Sequence, residues 1–255
     1  MKSLQQLPIS TPDGTLIADL RISSSRGILA HPECRSGEDK VMKRFVGNGD
    51  VVFDIGAHFG FYTLLLSKLV GDTGAVHAFE PNQELLQSLE STIEFLDNVD
   101  LHRVALSDRS GTIELYVPED ASMASLSDWT GGIGGKVHSV SCEMRVLDEM
   151  LDAGLVKLPS FIKCDVEGAE LLVFAGAKKI LDRVDAPVVL FELNRKAAES
   201  FGAKTSDYFA FFESLENPGY TFLEVAQEGV RPLETRDIEY TNVIAVPAAV
   251  ELFNG

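Results

Sequence analysis

The sequence predicts an α/β fold: a mostly parallel sheet with helices on both faces, preceded by a small N-terminal appendage. Three observations predict it. From Asp50 onward, short apolar runs alternate with segments of helical periodicity. A glycine-containing turn, Asp54-Ile55-Gly56-Ala57-His58-Phe59-Gly60, joins the first run to the first helical segment. The chain before Asp50 lacks that alternation.

Thr11-Pro12-Asp13-Gly14 is a turn signal between Ile9 and the run from Leu16 to Ile22, and predicts a hairpin. A short helix over 38–46 follows, and Gly47-Asn48-Gly49 breaks the chain. Residues 51–55 form a short apolar run of the kind a buried parallel strand requires. The spacing then predicts a helix over 61–70, a strand over 75–79 and a helix opened by Pro81 and running through Leu96. A third strand is expected over 101–106, and extra strands over 111–117 and 136–144 flank a glycine-rich loop, 123–135, read either as closing over a ligand or as a surface excursion. Beyond it come a helix over 146–153, a strand over 160–164, a helix over 168–181, a strand over 187–193 and a helix over 206–215. The last two strands are expected over 220–225 and 242–246. Residues 1–37 are thus an appendage, a cap over a site or the cover of a sheet edge. Residues 38–255 form the main domain.

Composition excludes several classes. The chain has 255 residues with 22 Lys and Arg against 39 Asp and Glu, a net charge of −17. A nucleic-acid partner is not expected, because phosphate binding draws on clustered cations. The longest apolar run, Val243 to Val250, is eight residues, too short to cross a bilayer. The start lacks a secretory core. Three cysteines, Cys34, Cys142 and Cys164, show no paired spacing and fit a reducing cytoplasm. A small hydroxyl-bearing substrate is expected, and a homo-oligomer stays open.

The turn after the first strand departs from a dinucleotide site, which wants Gly-x-Gly-x-x-Gly: His58 stands at the second glycine. Asp54 would repel a phosphate and attract an ammonium, such as that of S-adenosylmethionine. Glu80 ends the second strand, where an acid accepts both ribose hydroxyls. At the end of the third strand, Ala105 and Leu106 are placed to pack on adenine, and Ser107 or Asp108 to meet its amino group. Each position also has an ordinary capping or packing explanation.

Phe161-Ile162-Lys163-Cys164-Asp165-Val166-Glu167-Gly168-Ala169-Glu170 is the second dense signal. If its strand neighbours that ending in Glu192 and Asn194, then Asp165, Glu167, Glu192 and Asn194 converge on one rim. Acids so dense need compensation. Three readings stay open: helix-capping acids, ligands to magnesium from Asp165, Glu167 and Glu192, or a general base for a substrate hydroxyl. Lys163, two residues before Asp165, points to the same side and is read as its ion-pair partner. His58 is a further candidate for contact with substrate. No His-x-x-x-His pair supports zinc, and no nucleophile elbow is present.

Val52-Phe53-Asp54-Ile55-Gly56-Ala57-His58-Phe59-Gly60, Ala78-Phe79-Glu80-Pro81-Asn82, Val104-Ala105-Leu106-Ser107-Asp108 and Ile162 to Glu170 together resemble the FkbM family of S-adenosylmethionine-dependent methyltransferases, over about 38–246. The resemblance implies a class I methyltransferase-like, Rossmann-like sheet of seven strands, the last antiparallel, and O-methylation of hydroxyls on natural products or sugars. It implies that Asp54, Gly56, Ala57 and Gly60 hold the methionine part of the cofactor and Glu80 the ribose. It puts Asp165, Glu167 and Glu192 on the substrate side. Asn194 departs from the pattern, which has His there. The reading is methyl transfer to a hydroxyl with Asp165, Glu192 or His58 as base. A catalytically silent adenosine-ligand binder and a nicotinamide dehydrogenase are the alternatives, and N- or C-methylation stays open.

Overall fold

The computed structural model describes residues 6–31, 36–131 and 135–251. The elements in chain order are β1 (Gln6–Thr11), β2 (Gly14–Asp19), α1 (Ser23–Ala30), α2 (Gly37–Phe45), β3 (Val51–Ile55), α3 (Phe61–Val70), β4 (Ala75–Phe79) and α4 (Gln83–Ile93). Then come β5 (Val99–His102), β6 (Ala105–Leu106), β7 (Gly111–Pro118), a 3-10 turn (Ala121–Met123), β8 (Val137–Arg145), α5 (Leu147–Asp152), β9 (Phe161–Cys164), α6 (Glu170–Ala175) and α7 (Lys178–Leu181). The chain closes with β10 (Val188–Asn194), α8 (Arg195–Ser200), α9 (Thr205–Glu213), β11 (Tyr220–Ala226), β12 (Gly229–Pro232) and β13 (Tyr240–Pro247).

The central sheet runs β12-β11-β13-β10-β9-β3-β4-β5. The five strands from β10 to β5 are parallel, whereas β13, β11 and β12 join by antiparallel pairing. The fold is therefore α/β, but the sheet has eight strands and is mixed, not seven-stranded. The uncounted strand, β12, is a four-residue edge ending in Pro232, a sequence that does not read as a strand because a proline removes a ladder donor. Period-two alternation splits the central strands between two cores. Phe53, Ile55, Ile162, Cys164 and Phe191 pack on the side of α6 and α9, and Val52, Phe161, Val188 and Leu190 on the side of α2 and α3.

Three further expectations change. The third strand divides: β5 stays in the main sheet, but β6 crosses to a second sheet ordered β6-β8-β7. The helix expected over 168–181 is two short ones, α6 and α7. It starts late because Glu167 (φ 55°) and Gly168 (φ 99°) are left-handed. It breaks at Gly176, whose backbone presses on the Ser107 carbonyl and whose own carbonyl accepts the Asp148 N–H at 2.9 Å. Pro81 precedes rather than opens α4, which Asn82 caps by accepting the Glu84 N–H at 3.0 Å. Helices α1 and α8 carry no periodicity long enough to be read.

The β1–β2 hairpin lies on α3 and α4. Ile9, Leu16, Ala18 and Ile22 enter one cluster with Phe59, Leu64 and Leu85, and Ile17 donates its N–H to Thr92 Oγ1 at 3.0 Å. No helix among the described residues is long and apolar enough to cross a membrane.

Candidate functional site

A cavity of about 420 Å³ opens at the carboxyl ends of β3, β4, β9 and β10, where the strand order reverses direction across β3. Gly56, Ala57, His58, Glu80, Ala105 and Leu106 line it from the ends of β3 and β4 and from β6. Lys163, Asp165, Glu167 and Glu192 line it from the ends of β9 and β10. Ser24 and Ile28 of α1 and Ala121, Ser122, Ala124, Ser125 and Leu126 after β7 form its outer wall.

The glycine turn is built for chain crossing. A Cβ on Gly56 (φ 80°) would lie 1.9 Å from the Asp165 carbonyl oxygen, so glycine lets the β3 and β9 turns touch. Gly60 (φ 92°) abuts Leu89 and Thr92 of α4 and stands outside the cavity lining. His58 has φ 55°. It and Glu167 are the non-glycine residues with positive φ among the described residues, and both line the cavity. Left-handed backbone at a side-chain-bearing residue costs roughly 1–2 kcal/mol, so packing elsewhere holds both turns in place.

Glu80 is 5% exposed, and its carboxylate accepts the N–H of His58 (Oε2, 2.8 Å) and that of Asn82 (Oε1, 2.8 Å). Burial pushes its carboxyl up to about 7, against the pull of those two donors. Burial holds His58 down at about 4, and its buried Nε2 has no partner among the described residues. Asp108 stands outside the lining, accepting from Ser107 Oγ at 3.1 Å and facing Arg109 at 3.6 Å.

Asp54 also lies outside the lining. On the fully buried side chain, Oδ2 accepts from Thr63 Oγ1 at 2.6 Å and Oδ1 faces Lys163 Nζ at 3.9 Å. The same Nζ donates to Asp165 Oδ2 at 3.2 Å and sits 5.2 Å over the Tyr62 ring. Burial alone would lower the Lys163 ammonium, but the charges of Asp165, Asp54 and Glu38 outweigh it and hold it above its ordinary value. Glu38 of α2 accepts from the Tyr62 hydroxyl at 2.9 Å, so α2 and α3 supply a shell around this buried cation.

Carboxylate oxygens of Asp165, Glu167 and Glu192 lie within 4.8 Å of one another. Burial first, then the charge of Asp165, pushes both Glu167 and Glu192 well above the ordinary carboxylate range. Tyr240 donates its hydroxyl to Glu192 Oε2 at 2.8 Å. Glu170 is turned away from the cavity, its Oε1 accepting the N–H groups of Val166 (2.9 Å) and Gly168 (3.2 Å). Tyr208 of α9 ties the same turn by donating to the Gly168 carbonyl at 3.1 Å. Ser125 donates to the Glu167 carbonyl at 2.8 Å, joining the outer wall to the carboxylates.

The expected convergence of Asp165, Glu167 and Glu192 is therefore present, and Lys163 is the ion-pair partner of Asp165. Asn194 does not join them: it caps α8, its side chain accepting the Ala197 N–H at 3.4 Å. Tyr62, Glu38, Tyr208 and Tyr240 carry no motif and are visible only through the fold. His77 and His102 bond to each other at 3.0 Å within the sheet. Cys142 and Cys164 are buried free thiols, and Cys34 lies outside the described residues.

The sequence matches the model of the methyltransferase FkbM domain over residues 54–222. It is 30% identical, over 141 residues, to the hexuronic acid methyltransferase AglP of Haloferax volcanii, 55% of either chain. The chain thus spans about half the length of the curated relative it matches. A crystal structure assigned as an rRNA methylase from Clostridium thermocellum shares the fold at a TM-score of 0.50 and 11% identity, covering 84% of this chain and 97% of that one. The family model covers well over half of the sequence, through both strand-end turns that build the cavity. The chain belongs to the FkbM methyltransferase family.

Proposed function

We propose that the protein is an S-adenosylmethionine-dependent methyltransferase acting on a hydroxyl of a small molecule, with a sugar as the acceptor class. One observation carries this reading: a single cavity is lined both by a strand-end acid, Glu80, and by a carboxylate trio. The cavity volume is that of a small-ligand site. Glu80 spends one bond per oxygen on backbone donors, and a carboxylate has lone pairs beyond those two for ribose hydroxyls. Ala105 and Leu106 give an apolar wall suited to an adenine face. Asp54 supports the site from below, through Lys163 and Thr63, instead of meeting the ligand.

S-adenosylmethionine would supply a methyl group activated by its sulfonium, the oxygen–methyl bond forming as the sulfur–methyl bond breaks. The chain's own task is to orient the hydroxyl and take its proton. Glu192 is the base we assign: Tyr240 fixes it at 2.8 Å, and burial with the charge of Asp165 pushes its carboxyl up, so that it takes a proton more readily than an ordinary carboxylate. Asp165, fixed by Lys163, orients the hydroxyl beside it. His58, held at about 4, is a weaker base and is assigned to contact with the ligand. The oxygens of Asp165, Glu167 and Glu192 are donors of the type magnesium takes, and a magnesium held there would make the acceptor hydroxyl more acidic. A silent adenosine-ligand binder would have no use for the second set of carboxylates. We further propose that the acidic chain acts without a nucleic-acid partner.

The test is calorimetric titration with S-adenosylhomocysteine and with NAD. Micromolar binding of the first and none of the second is expected. Folded protein that binds neither would sink the reading.

A further inference from the structure

Tyr240 is 63% exposed, yet its hydroxyl is fixed, donating to Glu192 Oε2 at 2.8 Å. Glu192 lines the cavity, and its carboxyl lies within 4.8 Å of those of Asp165 and Glu167. Strand register puts the two side chains on one sheet face: Tyr240 of β13 stands opposite Asn194, two residues beyond Glu192 on β10. The segment that leads into Tyr240 is held at several points. Arg195 donates from Nη2 to Asp237 at 2.8 Å, from Nε to the Ile238 carbonyl at 3.3 Å and from its backbone N–H to the Glu239 carbonyl at 2.9 Å. Thr205 Oγ1 donates to the Arg236 carbonyl at 3.0 Å and accepts the Ile238 N–H at 3.3 Å. A single exposed aromatic is ordinary on a protein surface. This one differs in being carried on a fixed backbone, with its polar end pinned to the carboxyl trio and most of its side chain open to solvent.

We propose that Tyr240 is an acceptor-binding residue, its ring stacking on the C–H face of a pyranose while a hydroxyl of that sugar reaches Glu192. The inference rests on reading the site as a methyltransferase with the acceptor at the carboxyls of β9 and β10. An aromatic face carries negative charge density, and the axial C–H bonds of a pyranose form an apolar, slightly positive patch, so the two attract. A sugar in van der Waals contact, about 4 Å above the ring, keeps its rim hydroxyls within reach of the carboxyl that the phenol already meets. Carboxyl and hydroxyl groups pair in either protonation state, the carboxyl accepting or donating, so the arrangement does not depend on the charge of Glu192. The ring also arrives pre-positioned, which lowers the entropy lost on binding. A stacking surface selects shape: a closed pyranose offers it a continuous C–H face, and an acyclic polyol with the same hydroxyls does not.

The test separates the ring from its hydroxyl. Protein with isotope-labelled tyrosine, saturated with S-adenosylhomocysteine, is titrated by NMR with methyl β-glucoside, β-galactoside, β-fucoside and α-mannoside, and with glucitol as the acyclic control. At least one glycoside is expected to bind, with nuclear Overhauser contacts between the C–H protons of one pyranose face and the Tyr240 ring. Glucitol is expected to bind at least roughly fivefold more weakly than that glycoside. Tyr240→Phe should keep the affinity within about twofold, and Tyr240→Leu should lose roughly fivefold to tenfold. A role confined to holding Glu192 would make the two variants alike and leave the ring without sugar contacts, and that result overturns the inference. So does binding of no glycoside while S-adenosylhomocysteine binds. Failure of S-adenosylhomocysteine itself to bind would instead sink the methyltransferase reading. The contacts in the unmodified protein decide the question even where a variant does not fold.

Discussion

Oε2 of Glu80 accepts the backbone N–H of His58 at 2.8 Å, so the acid ending β4 fixes the left-handed turn that follows β3. The ends of β3 and β4, which both line the cavity, are therefore one mechanical unit.

Replacing Glu80 disturbs both. Glu80→Gln keeps the shape but trades an acceptor oxygen for a donor nitrogen, which cannot accept from His58 N–H or a ribose hydroxyl. Hydrogen bonds to charged groups contribute about 1.5–3 kcal/mol, so affinity for S-adenosylhomocysteine should fall about tenfold or more. Calorimetry measures it, and unchanged affinity would remove Glu80 from the cofactor site.

Gly56→Ala tests the crossing of the β3 and β9 turns. The added Cβ would stand 1.9 Å from the Asp165 carbonyl oxygen at a φ of 80°, so backbone has to move. A loss of about 3 kcal/mol is expected, a fall in melting temperature of roughly 10 °C. A fall under about 2 °C would show that the two turns are not in contact.

Lys163→Met leaves Asp54 and Asp165 without their shared cation. Removing one partner of a buried ion pair costs about 3–5 kcal/mol. Adding Asp54→Asn should recover part of it, because Thr63 can still bond the amide. Urea denaturation of the single and double variants measures this coupling, and strictly additive losses would deny it.

The raised carboxyls set a sign for pH. Folded-state values of about 7 for Glu80 and Glu170 lie above that of an unfolded glutamate, and burial and the charge of Asp165 raise Glu192 and Glu167 in the same sense. The native state thus holds more protons, and stability present at low pH is lost as pH rises through these values, by at most about 1.4 kcal/mol per pH unit per group. The depressed His58 works in the opposite sense, but only between about 4 and its unfolded 6.5. Melting temperature without ligand should therefore fall by about 5 °C from pH 6.5 to pH 8, less in Glu192→Gln. A melting temperature that rises across this window would contradict the carboxylate geometry.

The base assignment adds a kinetic expectation. Where Glu192 takes the proton, kcat/KM rises with pH on a limb above the ordinary carboxylate range, and Glu192→Gln lowers it by a factor of about 10² to 10⁴ without that limb. Transfer rates across pH check both, and an unchanged rate in Glu192→Gln would pass the role to Asp165.

The sequence by itself determined the alternation of strand and helix, the two turns that carry Gly56 and Glu167, and the acids that end the strands. These depend on near neighbours in the chain: apolar runs, glycine freedom and the alternation of side chains along a strand. It also showed Lys163 beside Asp165, because residues two apart in a strand share a face. What only the tertiary structure decided comes from distant segments. Asp54 reads as a ligand contact, and the fold adds two neighbours that no local pattern shows, Thr63 donating to Oδ2 and Lys163 facing Oδ1. Asn194 reads as a member of the acid rim and caps a helix too short to read. Tyr240, 48 residues beyond Glu192, meets it because β13 turns antiparallel onto β10. Strand pairing, burial and charge balance are sums over the whole packed chain, and no local pattern contains them.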